Sequence, residues 1–300
     1  VLIVAMAAFI VSGGYVLYNT TIVNEFLNSD DQDKVMVEYE KNYKKYQGIP
    51  QPKVKAVVAN IDIFPNERNI TGRGTFLLKN DTKFPIDSIH FALPPDIELV
   101  SCNAGNNSTL VLNDRKRGYY ILQIEKPLSP NDSVNFEFQV AYISKGFVNS
   151  GNKTTVAHNG TFINSYEIFP SIGYQTGGEL TEKNKRKKHE LPPRPRMAQL
   201  NDSVALQRTY LGEIGDWISF EATVSTSTDQ IAIAPGYLAK EWKDNNRRYF
   251  HYKMDRPMLN FYAFVSADFE VIEDKWNDVN LQVFYHKGHE YNISKMMESM

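Results

Sequence analysis

The segment KVKAVVANIDIFPNERNITGRGTFLLKN, Lys53 to Asn80, changes the period of the chain. Just upstream, in QDKVMVEYEKNYKKYQ (residues 32 to 47), Val35, Tyr39, Tyr43 and Tyr46 recur at helical spacing until Gly48-Ile49-Pro50 ends the pattern. From Lys53 the period is two, carried by β-branched and aromatic residues, which is how a half-buried strand reads. Pro65-Asn66 supplies the turn, so the segment predicts two strands joined by a short polar connection.

The same reading extends downstream. SIHFALP, DIELVSC, STLVLND, GYYILQIEKP and SVNFEFQVAYI are further short runs, separated by Asn80-Asp81, Pro94-Pro95, Asn113-Asp114 and Pro130-Asn131-Asp132. Strands at this spacing without helical segments between them predict a mainly β fold, a large antiparallel β-sandwich, and disfavour a doubly wound α/β fold. The pattern lapses between about 145 and 215, which is rich in Asn, Gly, Pro and charge and is expected on the surface. It resumes with WISFEATVS, QIAIAPGYL, RRYFHYKM, NFYAFVSADFEVIED and VNLQVFYHK. The expected sandwich spans 53–288, with an irregular basic insertion at 175–200.

The flanks differ from this body. Val1 to Tyr18, VLIVAMAAFIVSGGYVLY, carries no charge and is long enough for most of a membrane-spanning helix. It has no basic region ahead of it, which favours a transmembrane helix, cut at its upstream end, over a signal peptide. Residues 1–18 are therefore the expected membrane contact and 19–52 a juxtamembrane helix and linker. Acidic residues (Glu25, Asp30, Asp31, Asp33) come first after the span, and basic ones only from Lys34. This places the remainder on the extracytoplasmic side, in a periplasm or at a cell surface.

Composition excludes several function classes. Lys+Arg 33 against Asp+Glu 35 gives a net charge of −2, so no global field recruits nucleic acid, and no nucleic-acid partner is expected. A local candidate exists in Lys183, Lys185, Arg186, Lys187 and Lys188, followed by Pro192-Pro193-Arg194-Pro195-Arg196. It lacks the interleaved aromatics that single-strand binding uses and reads as a solvated helix stopped by proline. Cys102 is the one cysteine, so a disulfide framework is excluded. Ten N-x-[S/T] sequons, at Asn19, Asn69, Asn80, Asn106, Asn107, Asn131, Asn152, Asn159, Asn201 and Asn292, are equally compatible with glycosylation and with an Asn-rich bacterial chain.

The closing stretch HKGHEYNISKMMESM, His286 to Met300, has the right residue types for zinc but the wrong spacing. An H-E-x-x-H helix puts its histidines at i and i+4, whereas His286 and His289 are three apart with Gly288 between them. Strand, glycine turn and helix fit better, with 289–300 as the start of a helix belonging to a further domain and Tyr291, Met296, Met297 and Met300 on its apolar face. No catalytic residue, no metal ligand and no substrate-binding residue is assigned within the chain. Neither G-x-S-x-G nor a phosphate-cradling glycine loop occurs.

Met258 to Phe269, MLNFYAFVSADF, resembles the S-T-Y-L-x-A-F-x-V-G-D-F run that ends the N-terminal sandwich of the gluzincin aminopeptidases, the family of aminopeptidase N and leukotriene-A hydrolase. Val58 to Asn80 is similar to that family's opening hairpin, and Phe220 to Gly236 to the strand pair before the run. The family's R-x-x-F-P-C-x-D-x-P landmark is matched by Tyr166 to Gly173, YEIFPSIG, without the Arg, Cys, Asp or final Pro. Its amine-anchoring Gln or Glu would fall at Asn159 to Asn164, where neither residue type occurs, so none is carried over. The resemblance implies a non-catalytic N-terminal domain and membrane anchor, scaffolding a zinc peptidase domain after Met300. The zinc would be held by that domain, a peptide substrate is compatible, and the fragment alone would be inactive. The upstream span further resembles a bacterial type in which an ABC-type permease region precedes the peptidase-like part. The alternative reading is a self-contained extracytoplasmic binding or interaction module, since sandwiches host many non-enzymatic functions.

Overall fold

The computed structural model describes residues 1–149, 155–195, 197–203, 205–207 and 216–300. The sequon at Asn152 and Arg196 of the basic run lie outside the described residues. Helix α1 (Leu2–Leu17) does not stop at residue 18 but continues as a π-helical turn, Tyr18–Val23. The polar residues there allow this because Asn19 and Thr20 return hydrogen bonds to the Tyr15 and Val16 carbonyls, each at 3.0 Å. Helix α2 (Ser29–Tyr43) begins at Asn28, whose side-chain oxygen accepts the Asp31 N–H at 2.9 Å, and carries Asp30 and Asp31 in its first turn. A 3-10 turn, Lys44–Tyr46, ends it.

Seven strands follow: β1 (Lys53–Phe64), β2 (Asn69–Lys79), β3 (Ile86–Ala92), β4 (Glu98–Ala104), β5 (Ser108–Asp114), β6 (Tyr119–Leu128) and β7 (Ser133–Tyr142). The stretch where the strand pattern lapses still contributes β8 (Thr161–Asn164), a one-turn helix α3 (Ser165–Ile168), β9 (Ser171–Ile172) and helix α4 (Lys183–Lys188). Then come β10 (Trp217–Ser227), β11 (Ile231–Ile233), β12 (Tyr237–Asp244), β13 (Arg247–Lys253), β14 (Met258–Leu259), β15 (Ala263–Ala267), β16 (Glu270–Trp276) and β17 (Val279–Tyr285). Helix α5 (Ile293–Ser299) comes last.

One sheet of eight strands has the order β12-β13-β10-β1-β2-β7-β4, with β14 attached to β10. A second, β5-β6-β3-β9, and a third, β11-β15-β8, pack with it, and β16-β17 forms a separate hairpin. Among the described strands every pairing is antiparallel but one: β1 and β10 run parallel, with Ile61 opposite Val224. A hairpin cannot make a parallel joint; a long excursion can, and here it is the stretch after β7 that brings the chain back beside β1. In β1 the register shifts between Val54 and Ala56. The bulge turns Val54 inward with Val57, Ala59, Ile61 and Ile63 despite the change of parity.

The core between the two larger sheets is aromatic. Phe76 of β2 and Phe136 and Phe138 of β7 meet Phe91 of β3 and Tyr120 of β6, with Phe91 5.3 Å from Phe136 and stacked on Tyr120 at 5.1 Å. Phe169 reaches the same core from the excursion, 5.1 Å from Phe138. Offset and edge-on pairs of this kind add about 0.5–1.5 kcal/mol each beyond area burial.

Helix α2 docks on this body rather than standing clear of it. Tyr39 stacks on Tyr174 at 5.2 Å, Tyr43 on Tyr119 at 4.3 Å, and Tyr46 meets His90 edge-on at 4.8 Å. The basic run is helical with Lys183, Lys187 and Lys188 exposed, as its reading as a solvated helix has it, but Arg186 departs from that reading and completes the docking. Arg186 is buried and bidentate to Glu40, with both N–O distances 2.7 Å. Its remaining donors go to the carbonyls of Leu180 and Pro192, so all five N–H groups are used. Lys185 pairs with Asp33 at 2.9 Å and Lys188 with Asp30 at 3.4 Å. Three of the run's cations, Lys185, Arg186 and Lys188, are thus met by acidic residues of α2.

Candidate functional site

Two stretches singled out in the sequence become neighbours. Strand β8 pairs with β15, Ile163 opposite Phe264, so the segment ahead of Phe169-Pro170 lies beside the Met258-to-Phe269 run. Asn164 starts α3 with a reciprocal capping box: its Oδ1 accepts the Tyr166 N–H at 3.0 Å, and Glu167 reaches back to the Asn164 N–H at 3.0 Å. Asn159, at the start of the stretch, accepts the Asp268 N–H at 2.8 Å. Here the structure spends the available amides on backbone.

A cleft of about 680 Å³ opens next to this junction, between the linker (Gln47 to Val54) and Ile172 to Gly177, with Asp216 and Asn260 in its wall. It leads to a cavity of about 20 Å³ lined by Ser165, Phe169, Pro170 and Tyr262, and Val54, Ile172 and Asn260 border both spaces. That smaller space has room for about one water molecule. Ser165 Oγ is buried there without a hydrogen-bond partner among the described residues. Asn260 is 8% exposed and Tyr262 buried, and burial raises the Tyr262 hydroxyl well above the usual tyrosine range. Asp216 is raised by burial but lowered further by the bond from Lys55 at 2.5 Å, so its carboxyl stays below the usual range and ionised. The cleft therefore offers amide and hydroxyl groups and the Lys53 ammonium around one carboxylate already paired with Lys55. That suits binding. Among the described residues of its lining, no base is hydrogen-bonded to a nucleophile. Sequence reasoning missed Ser165 and Asn260; the N-x-x-E capping signature at Asn164 and Glu167 is the one local signal that could have located the turn carrying Ser165.

The histidines are structural where the structure gives them partners. His90 is buried with Nδ1 3.0 Å from the Tyr119 hydroxyl, and burial lowers its pKa. His158 meets Asn66 at 2.7 Å, and His251 meets Glu221 at 3.2 Å. His286 and His289 come near each other, ring centroids 6.4 Å apart, across a turn in which Gly288 takes φ 90°. Glu290 accepts the Gly288 N–H at 2.8 Å instead of facing the two rings as a third ligand. Among the described residues no group of three or more His, Cys, Asp or Glu side chains could hold a metal ion. Cys102 is half-buried, and burial pushes its thiol up, away from thiolate reactivity.

Neither a scan against protein-family profiles nor a search of curated proteins finds a match. Solved structures do match. An M1 zinc metallopeptidase from Deinococcus radiodurans is 11% identical, with a TM-score of 0.51 over 81% of this chain and 49% of that one. A mutant of the same organism's M1 enzyme bound to a Tyr-Ser-Ala substrate gives 12% identity, a TM-score of 0.50, and 79% and 48% coverage. A two-domain M1 mutant bound to L-tryptophan gives 12%, 0.50, and 81% and 50%. The chain spans about half the length of the M1 zinc metallopeptidases it matches, and at this identity what it shares with them is the fold.

Proposed function

We propose that residues 53–288 form the non-catalytic N-terminal sandwich of a zinc aminopeptidase-like protein, held to a membrane by α1 and supporting a peptidase domain that follows Met300 in the parent. The observation that carries this reading is the fold shared over about four-fifths of this chain with about half of each M1 enzyme (81% and 49% in one case). The pairing of β8 with β15 supports it, since it brings the strand just ahead of the Tyr166-to-Gly173 stretch beside the Met258-to-Phe269 run, the two stretches that resemble the gluzincin pattern. So does the surface beyond β15. Trp276 and Val279 of the β16-β17 hairpin, Tyr291 beside α5, and Met296 and Met300 are all exposed, an apolar margin of the kind a neighbouring domain covers. Zinc chemistry would belong to that neighbour, where two His and a Glu hold the ion and polarise its water. The extracytoplasmic placement and a permease region ahead of α1 belong to the same proposal.

The coding sequence on either side tests it. An H-E-x-x-H followed some twenty residues on by a Glu, downstream of Met300, is the expected result. A stop codon or unrelated repeats there would overturn the reading. Upstream of Val1, further membrane spans test the permease arrangement.

A further inference from the structure

We infer that the sandwich itself rests on the lipid surface through the loop Ile143 to Val148, so that membrane contact is not confined to α1; this rests on reading α1 as a membrane span. The apolar helical run Leu2–Val23 is 22 residues long with mean hydropathy 1.8, about 33 Å of helix against a hydrocarbon core of about 30 Å. No side chain of α1 proper is buried against the rest of the chain.

The loop after β7 reaches back along this helix. Asn24 donates to the Lys145 and Phe147 carbonyls at 2.8 and 3.1 Å. Gly146 lies so close that a Cβ there would meet Asn19 Oδ1 at 2.1 Å. The Phe147 ring packs on Tyr15, centroids 5.8 Å apart. Tyr15 lies in the α-helical part, eight residues before Val23, so Phe147 sits alongside the helical run rather than beyond its end.

The side chains suit that level. Ile143 is 50% exposed and Phe147 38%, and Phe147 adjoins Tyr15, itself 62% exposed on the helix. Lys145 is exposed between them. Aromatic rings with a lysine able to reach the headgroups are the composition of a membrane–water boundary. In water the same group would be an uncovered apolar patch continuous with the span. Lipid is the occupant because that continuity leaves the loop and the helix in one medium.

The test uses the full chain in phosphatidylcholine vesicles, with Cys102→Ala as background and one spin label at a time on Phe9→Cys, Ile143→Cys, Phe147→Cys or Phe84→Cys. Phe84 is 64% exposed and follows the far end of β2, a strand of 11 residues and about 35 Å whose near end, Asn69, bonds Ser144. Accessibility to oxygen, which favours lipid, is compared with accessibility to a water-soluble nickel chelate. Labels at 9, 143 and 147 are expected to favour oxygen several-fold over the label at 84. If 143 and 147 match 84 while 9 favours oxygen, the loop contact is refuted and the anchor stands. Should the label at 9 also behave as in water, the anchor reading and this inference fall together. The label at 143 leaves Phe147 in place, so a defect caused by removing that ring cannot decide the outcome alone.

Discussion

Helices α2 and α5 stand before and after the same sandwich and invert what their compositions suggest. Helix α2 is strongly charged, yet it buries Val37, Tyr39, Glu40 and Tyr43 against the body. Helix α5 carries Met296 and Met297 but buries only Ile293, while Met296 is 49% exposed. The difference lies in the partner. For α2 the chain supplies one from afar: Arg186 for Glu40, and Tyr119 and Tyr174 for the tyrosine stripe. For α5 the described residues cover Met297 only in part and leave Met296 and Met300 exposed. A helix's polarity thus indicates how it can be buried, and the rest of the chain decides whether it is.

The sharpest way to break the comparison is to remove the α2 partner. Arg186→Ala strips the Glu40 carboxylate of its bidentate partner and leaves it only Lys44, both side chains being 2% exposed in the native pair. A loss of about 3 kcal/mol is expected, read as a lowered urea midpoint. Replacing both partners, Arg186→Met with Glu40→Met, should recover most of that loss, because the buried carboxylate is gone and Lys44 keeps Glu179 at 3.2 Å. Equal losses for the single and double variants would show that the pair itself, not the orphaned charge, stabilises the docking.

Acid should open the same contact. Burial pushes the Glu40 carboxyl up, but the bonds from Arg186 and Lys44 outweigh it and the net direction is down. Asp114, held by Tyr43 and Arg117 against the same burial penalty, is likewise lowered. A group depressed in the folded state stabilises it fully above the unfolded pKa, and that stability is lost as pH falls through the folded value. With ordinary carboxylates near 4, α2 docking should be constant from pH 7 to about 5 and decline below about 4. Hydrogen exchange of α2 amides across this range would show it, while β1 and β2 amides stay protected. Exchange in α2 that does not change with acid would mean that the tyrosine stack alone holds the helix.

Tyr43→Phe is a smaller cut. It keeps the ring stacked on Tyr119 and removes the 2.5 Å hydrogen bond to Asp114. A cost of about 1–2 kcal/mol is expected, since Asp114 retains Arg117.

What was legible in the sequence follows the same division between local and distant causes. Strands β1 to β7 announce themselves because alternation and turn residues are local signals. The β-rich class and the two flanking helices could be read in that way. Strands β8, β9 and β14 run to four residues or fewer, too short to show a period. The parallel joint of β1 with β10 and the Arg186–Glu40 pair each depend on residues more than a hundred positions apart. A basic run says that it needs acid nearby, not which acid. The cleft was invisible for a related reason: Ser165 and Asn260 are unremarkable letters until β8, β14 and β15 bring their segments to one wall.

Met296→Gln on α5 is expected to change the least, within about 0.5 kcal/mol, because a side chain already in water gives up no buried contact when it becomes polar. The same substitution sharpens the comparison in the longer protein proposed above. If a following domain covers this face there, the glutamine would bring an amide into an apolar contact and cost about 1–3 kcal/mol while remaining neutral in residues 1–300 alone. Chemical denaturation of both forms, with and without the substitution, separates the cases. A neutral effect in both would mean that the methionine face of α5 is solvent-exposed in the whole protein as well, and the domain contact would have to be sought on the β16-β17 hairpin, where Trp276 is 64% exposed.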